Sequence, residues 1–330
     1  WPPDPTSAAV CTVGGNLAYN SAGPRAVKYG TPRENTLALE AVTGTGEVIR
    51  TGTRTTKGVV GYDLTRLLIG SEGTLAVITE ATLKLTPLPE AKRTLQAVYA
   101  DMAGAARAVS RIMAQPVTPC ALEFIDGQAI DMVRPFARIP LPEGAGALLM
   151  IEVDGLAGCL DEASERVMEA ARGPGLLSLL AARTGEEVQG LWEVRKALSP
   201  ALRRLAPKKI NEDVVVPVSR MPALIEGLQA LSQRHGIRIV NFGHAGNGNI
   251  HVNLLVNPDD PEEMERARRC LEEVFALVLK LGGTLSGEHG VGLEKRDFVA
   301  MELDPASLAL MQGLKAVFDP RGILNPGKTP

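Results

Sequence analysis

Residues 219–283 carry the pattern that most restricts what this chain can become. Ser219 precedes apolar positions at helical spacing as far as Arg234, and His235-Gly236 supplies a glycine where a helix should stop. Residues 237–242 then alternate as a strand, 243–248 turn, and 249–256 alternate back. Asp260-Pro261 opens a second helix with proline at its first position, and Gly282-Gly283 closes it. This α-β-β-α order predicts an α+β domain with helices packed on one face of an antiparallel sheet. The connection between the two strands reads G-H-A-G-N-G-N-I-H-V-N from Gly243 to Asn253, so His244 and His251 flank a tight, polar bend. A strand period of two places His251 and Asn253 on one face.

The first ninety residues have a different texture, rich in glycine and β-patterned. Val42-Thr43, the turn Gly44-Thr45-Gly46 and residues 48–51 predict a hairpin. Residues 61–69 predict a short amphipathic helix, and strand-like sequence follows from Leu75. Gly14-Gly15-Asn16, Ser21-Ala22-Gly23 and Gly70-Ser71-Glu72-Gly73-Thr74 leave backbone open to a phosphate or a flat ring, although each alone is ordinary turn chemistry. Pro87-Leu88-Pro89-Glu90 breaks the pattern and is the expected domain boundary. Beyond it strands (94–99, 121–126, 148–153, 176–182) alternate with helices (102–114, 128–133, 157–171). Residues 186–205 predict a helix that Pro200 should kink or divide, and an amphipathic helix follows Asp304. The expected division is 1–89, 90–300 and 301–330.

The chain has 330 residues, a net charge of -3 and 22% charged residues, which gives no electrostatic reason to propose nucleic acid as a partner. No apolar run reaches the ~20 residues a bilayer span needs. Cys11, Cys120, Cys159 and Cys270 are scattered, with no C-x-x-C pair, which favours reduced thiols in a cytoplasmic protein and disfavours a cysteine metal site. The start at Trp1-Pro2-Pro3 reads as the middle of a longer chain.

Three of the four histidines fall in two short Gly-flanked segments, 241–253 and Ser286-Gly287-Glu288-His289-Gly290. His244, His251 and Glu288 have the chemistry of a three-ligand metal site with open positions, the catalytic arrangement. His289, the neighbour of Glu288, is better placed as a base beside the metal, because a bound cation lowers the pKa of a hydroxyl. The plain alternative is that Gly-rich turns collect polar residues. Arg195 and Ser199 lie four apart on one helix face, suited to clamping a carboxylate, or simply part of a solvated basic face with Lys196 nearby. Lys208-Lys209 is open to the same two readings.

Six ordered stretches also resemble one family: 11–23 (C-T-V-G-G-N-L-A-Y-N-S-A-G), 28–30 (K-Y-G), 61–83, 243–253, S-G-E-H-G-V-G from Ser286, and N-P-G-K from Asn325. They are similar to the flavin-dependent D-2-hydroxy-acid dehydrogenases, a group that includes the glycolate oxidase D subunit, D-lactate dehydrogenase and D-2-hydroxyglutarate dehydrogenase. The resemblance implies the C-terminal part of a vanillyl-alcohol-oxidase-type FAD-binding domain, then a cap domain whose antiparallel sheet is covered by helices. The C-terminal helix and tail would return to the FAD portion. It further implies oxidation of a D-2-hydroxy acid to the 2-oxo acid, with hydride passing to FAD N5. His244, His251 and Glu288 match metal ligands, usually zinc, and His289 the group taking the hydroxyl proton. Arg195 matches the carboxylate anchor, Ser199 its threonine companion, Asn253 a substrate contact, and Lys209 stands near a substrate lysine. Gly14, Gly15, Asn16 and Gly23 match one flavin loop, Gly70, Ser71, Glu72, Gly73 and Thr74 a second, and Asn325 a C-terminal contact. Where relatives usually have glycine this chain has Ala76. The Gly-rich loop that holds the FAD pyrophosphate in relatives would precede Trp1. The electron acceptor implied is a quinone, an electron-transfer protein or a partner subunit, with a homodimer or hetero-oligomer as the assembly. Two rivals follow from the same residues: a metal-dependent hydrolase, or a non-catalytic remnant that binds a partner.

Overall fold

A computed structural model describes residues 1–136, 141–202 and 206–328. By their contacts these form two compact units, Trp1–Pro87 with Ser286–Pro330, and Leu88–Leu285. The first unit opens with three short helices, α1 (Val13–Tyr19), α2 (Ala26–Tyr29) and α3 (Pro32–Asn35). The open backbone expected at residues 14–16 is instead the first turn of α1. Thr12 Oγ1 accepts the Gly15 N–H at 3.0 Å, and Asn20 ends the helix in the left-handed region at φ 55°. A good cap outweighs the helix cost of two glycines here. Strands β1 (Thr36–Thr43), β2 (Val48–Gly52) and β3 (Ala76–Leu83) form an antiparallel sheet in the order β2-β1-β3, with the expected hairpin closing at Val42 opposite Val48. Helix α4 (Leu64–Leu68) is capped by Asp63, whose carboxylate accepts the Arg66 N–H. Leu17, Leu39, Ala41, Leu68 and Ile69 make the small core of this unit.

The second unit is built on one seven-stranded sheet. Its strands are β4 (Ala91–Tyr99), β5 (Ala121–Asp126), β6 (Ala147–Gly155), β7 (Leu176–Ala181), β8 (Lys208–Val215), β9 (Arg238–Gly243) and β10 (Asn249–Val256). They run in the order β7-β4-β6-β5-β9-β10-β8, and every pairing is antiparallel. Helices α5 (Met102–Ala114), α7 (Leu160–Ala171), α9 (Met221–His235) and α10 (Pro261–Lys280) pack as a layer, α5 against α7 and α9, and α9 against α10. Tyr99 reaches that layer, its hydroxyl donating to the Ala171 carbonyl at 2.6 Å.

The sheet is covered on both faces rather than on one as expected. Helix α6 (Gly127–Val133) and helix α8 (Gly185–Leu202) cover the second face, where Val98, Ile125, Met150, Val240 and Phe242 meet Ile130, Leu191, Val194 and Leu198. Alternation makes this necessary, because β5 and β6 are buried at every position but the last residue of β6.

Three local expectations need correction. Strand β8 was not visible in the sequence, since K-K-I-N-E-D hides its alternation behind charge, a frequent property of edge strands. Ser219 does not cap α9; a 3₁₀ turn, Val218–Arg220, precedes it, Arg220 stands at the cap without a side-chain bond, and Pro222 occupies the first turn. Helix α8 is not divided at Pro200 and runs on to Leu202, the last described residue before 206.

The chain then returns to the first unit through α11 (Val299–Glu302) and α12 (Pro305–Phe318). Asp304 caps α12 through the Ala306 and Ser307 N–H groups, and Lys315 ties the helix to the Thr74 and Leu324 carbonyls at 2.7 and 2.8 Å. Among the described residues, no helix is long and apolar enough to cross a membrane. Cys11 and Cys159 are exposed free thiols, Cys120 and Cys270 buried ones.

Candidate functional site

Register decides which polar side chains share the α8-covered face of the large sheet. Phe124 pairs with Gly243, so Glu123 on β5 comes beside His244 at the end of β9. His251 lies opposite Phe242 on one side and Asp213 on the other, and Asn253 lies opposite Val240 and Asn211. Lys209, in the same alternation as Asn211 and Asp213, belongs to this face too. The sheet therefore gathers His244, His251, Asn253 and Lys209, which sequence reasoning named, with Glu123, Asn211 and Asp213, which it did not.

The bend joining β9 and β10 depends on backbone that only glycine accepts. Gly248 has φ 73°, and a Cβ there would sit 1.9 Å from the Val216 carbonyl oxygen. Gly248→Ala is expected to lose more than the ~1–2 kcal/mol of left-handed strain alone. Thermal melting checks this against Gly158→Ala, where a Cβ meets nothing within 4 Å and the midpoint should hold.

Glu123 is the centre of the buried chemistry. One of its oxygens accepts from His244 Nδ1 at 2.6 Å and the other from Arg195 Nε at 2.6 Å. Burial alone would raise its carboxyl, but the His244 imidazole and the Arg195 guanidinium bonded to it outweigh that and hold it below the usual carboxylate range. Arg195 descends from α8, and its guanidinium carbon lies 5.0 Å from the centre of the Phe242 ring. The imidazoles of His244 and His251 stand edge to face with centroids 5.4 Å apart, both buried. Asn253, fully buried, donates from Nδ2 to the Val240 and His251 carbonyls at 3.1 Å. Its Oδ1 and the Oδ1 of Asn211 directly opposite are buried without a hydrogen-bond partner among the described residues. At the strand's end Asp126 accepts from the Asn241 backbone N–H at 2.5 Å, and burial pushes its carboxyl up to about 6.

This donor set fits a divalent transition ion. Two neighbouring imidazoles are present, and one has its Nδ1 committed to a carboxylate, so that its Nε2 is the nitrogen that could hold an ion. Ser199 is the one expected site residue whose side chain lies outside the described residues.

Glu288 and His289 belong to the first unit, where they line a pocket of about 390 Å³ with Thr12, Gly15, Asn16 and Tyr19. The loop carrying them is held by Glu72. That residue adopts φ 54°, is buried, and its carboxylate accepts the Val291 and Gly292 N–H groups at 2.6 and 2.9 Å. Through its carboxylate Glu72 thus fastens the histidine loop. Its carbonyl accepts from Asn325 Nδ2, bringing the C-terminal tail to the same place. Within the Gly70–Thr74 stretch, Ser71 Oγ donates to the Leu68 carbonyl and Thr74 Oγ1 to the Ser71 carbonyl. Gly70 and Gly73 have φ 80° and 66°, so glycine is a backbone requirement at both. Gly23 backs onto the N-terminal segment, where a Cβ would lie 2.0 Å from the Asp4 carbonyl oxygen, whereas Gly14 faces open space.

Sequence signals for the missed residues were faint. Glu123 sits in A-L-E-F-I-D, a strand buried on both faces, where an acid without a partner would be costly. That cost was the available clue, but it does not name a partner 72 or 121 residues away.

Comparison with known proteins agrees on a family. Residues 88–329 match the profile described as FAD linked oxidases, C-terminal domain, and residues 1–52 match an FAD binding domain profile. The glycolate oxidase subunit GlcD of Bacillus subtilis (strain 168) is 42% identical over 328 residues, 99% of this chain and 70% of the relative. The D-lactate dehydrogenase of Anaerostipes hadrus is 37% identical, again over 99% of this chain and 70% of the relative. In fold the chain resembles p-cresol methylhydroxylase, with a TM-score of 0.68 at 16% identity, covering 89% of this chain and 64% of that one.

Proposed function

Since the chain belongs to the FAD-linked oxidases, we propose that it carries out the flavin-dependent oxidation of a D-2-hydroxy acid to the 2-oxo acid. The observation that supports this most is the buried pairing, through Glu123, of an arginine fork with a histidine pair on one sheet face. A 2-hydroxy acid presents a carboxylate and a neighbouring hydroxyl, and these are the two groups such a face would receive.

Arg195 anchors the carboxylate. Its Nε is taken by Glu123 and its guanidinium carbon lies over the Phe242 ring, so the Nη edge is the fork it offers a substrate. Asn253, fully buried on the same sheet face, contacts the substrate in this reading, which also assigns Lys209 and Ser199 to it. His244 and His251, with Glu288 as third ligand, would hold a divalent cation, zinc in this reading, which supplies Lewis-acid polarisation of the hydroxyl. His289 takes the hydroxyl proton, positioned by the loop that Glu72 fastens. FAD, when bound, supplies the acceptor for the hydride of the α-carbon. Gly14, Gly15 and Asn16 at the start of α1 and the Gly70–Thr74 stretch with Asn325 are the groups of this chain that would border it. A quinone, an electron-transfer protein or a partner subunit then takes the electrons, and the enzyme is placed in the cytoplasm.

The test is optical. The FAD-loaded protein, mixed anaerobically with glycolate or D-lactate, should lose its oxidised-flavin absorbance, with L-lactate much slower. A flavin that stays oxidised with every 2-hydroxy acid rejects the reading. Bleaching would exclude a metal-dependent hydrolase, which has no use for a redox cofactor.

A further inference from the structure

We propose that Glu123 is a positioning residue that orients His244 and Arg195 together, so that metal retention and carboxylate affinity depend on one buried side chain. This rests on the reading of His244 as a metal ligand and of Arg195 as the carboxylate anchor. The geometry is divided cleanly between the two oxygens: Oε1 meets His244 Nδ1 and Oε2 meets Arg195 Nε, each at 2.6 Å. Glu123 is 1% exposed, so water does not compete for either bond.

Each bond fixes a different property. A proton held on Nδ1 leaves Nε2 as the lone-pair nitrogen, and it sets the ring plane that stands edge-on to His251. A bond to Nε, with the Phe242 ring on the guanidinium face, sets the rotation of the Arg195 fork. The strand register explains why one residue serves both. Pairing of Phe124 with Gly243 brings β5 beside the turn that carries His244, while α8 lies over the same face with Arg195 toward it.

Glutamine at this position keeps the size but offers one acceptor oxygen, and its NH₂ group opposes the second N–H donor. Glu123→Gln is therefore expected to weaken zinc binding about 10–100-fold, the range for losing the carboxylate behind a ligating histidine. This is read by titrating zinc into chelator-treated, FAD-loaded protein. The same variant should raise the D-lactate concentration needed for half-maximal flavin reduction. Glu152→Gln is the control: that carboxylate is also buried on this face, but it bonds Thr94 and Trp192 at 2.9 and 2.8 Å. It should lower the melting midpoint and leave zinc affinity unchanged.

Wild-type protein that binds zinc, with Glu123→Gln binding it equally well, overturns the proposal and leaves the metal reading intact. Wild-type protein that binds no zinc overturns the metal reading and the His244 half of the proposal with it. A measurement on the wild type guards against a variant that fails to fold. Nitrogen-15 NMR of the chelator-treated protein should show His244 with its proton on Nδ1, identified by the signal lost in His244→Gln. A proton on Nε2 with Nδ1 bare overturns the proposal.

Discussion

His289→Ala is expected to slow anaerobic flavin reduction by glycolate or D-lactate about 10²–10⁴-fold, the contribution of a positioned general base. The flavin spectrum and the melting midpoint should stay as they are. His289 is exposed within its pocket, so truncation removes little packing. Its backbone is set by a separate residue, through the bonds from Val291 and Gly292 to Glu72. Loop geometry and side-chain chemistry can therefore be separated by experiment. Glu72→Gln, which keeps one acceptor for two N–H donors, should cut the rate by loosening the loop and should also lower the midpoint. His289→Ala should cut the rate alone. Wild-type reduction rates in His289→Ala would remove this residue from the reaction.

Arg195→Met carries the second large effect, and it acts on stability and binding together. The substitution strips a buried carboxylate of one of its two partners, and breaking a buried ion pair in this way costs about 3–5 kcal/mol. The half-saturating D-2-hydroxy acid concentration should rise as well, because the carboxylate loses its fork. Arg195→Lys distinguishes the two consequences. It restores a positive charge beside Glu123 and much of the stability, but a point charge does not reproduce the two-pronged geometry of a guanidinium over the Phe242 ring. Lysine should therefore recover the melting midpoint more fully than the substrate affinity. Equal recovery of both would make Arg195 a structural partner of Glu123 and nothing more.

Local physics made part of this site legible. The hairpin of β9 and β10 follows from strand alternation on either side of a glycine-rich bend, and Gly248 shows why that bend tolerates no side chain. His251 and Asn253 share a face by the strand period, and Arg195 falls on a helix by its spacing, so all three could be named in advance. Strand β8 could not be, since charge at an edge masks periodicity; with it went Asn211 and Asp213, opposite Asn253 and His251. The Gly14-Gly15-Asn16 stretch reads as open backbone along the sequence, because a threonine cap outweighs glycine only when its geometry is met.

The sequence by itself determined the type of chemistry: an imidazole pair on a hairpin, a Glu-His dipeptide between glycines, and glycine-rich turns, in an order that resembles one flavoprotein family. Only the tertiary structure decided what holds these groups in place. Glu123 reaches His244 across 121 residues and Arg195 across 72, and Glu72 reaches the Val291 amide across 219. Nothing in the neighbourhood of a glutamate along the chain specifies such partners. They are fixed by strand register and by the free-energy cost of burying a carboxylate that has none.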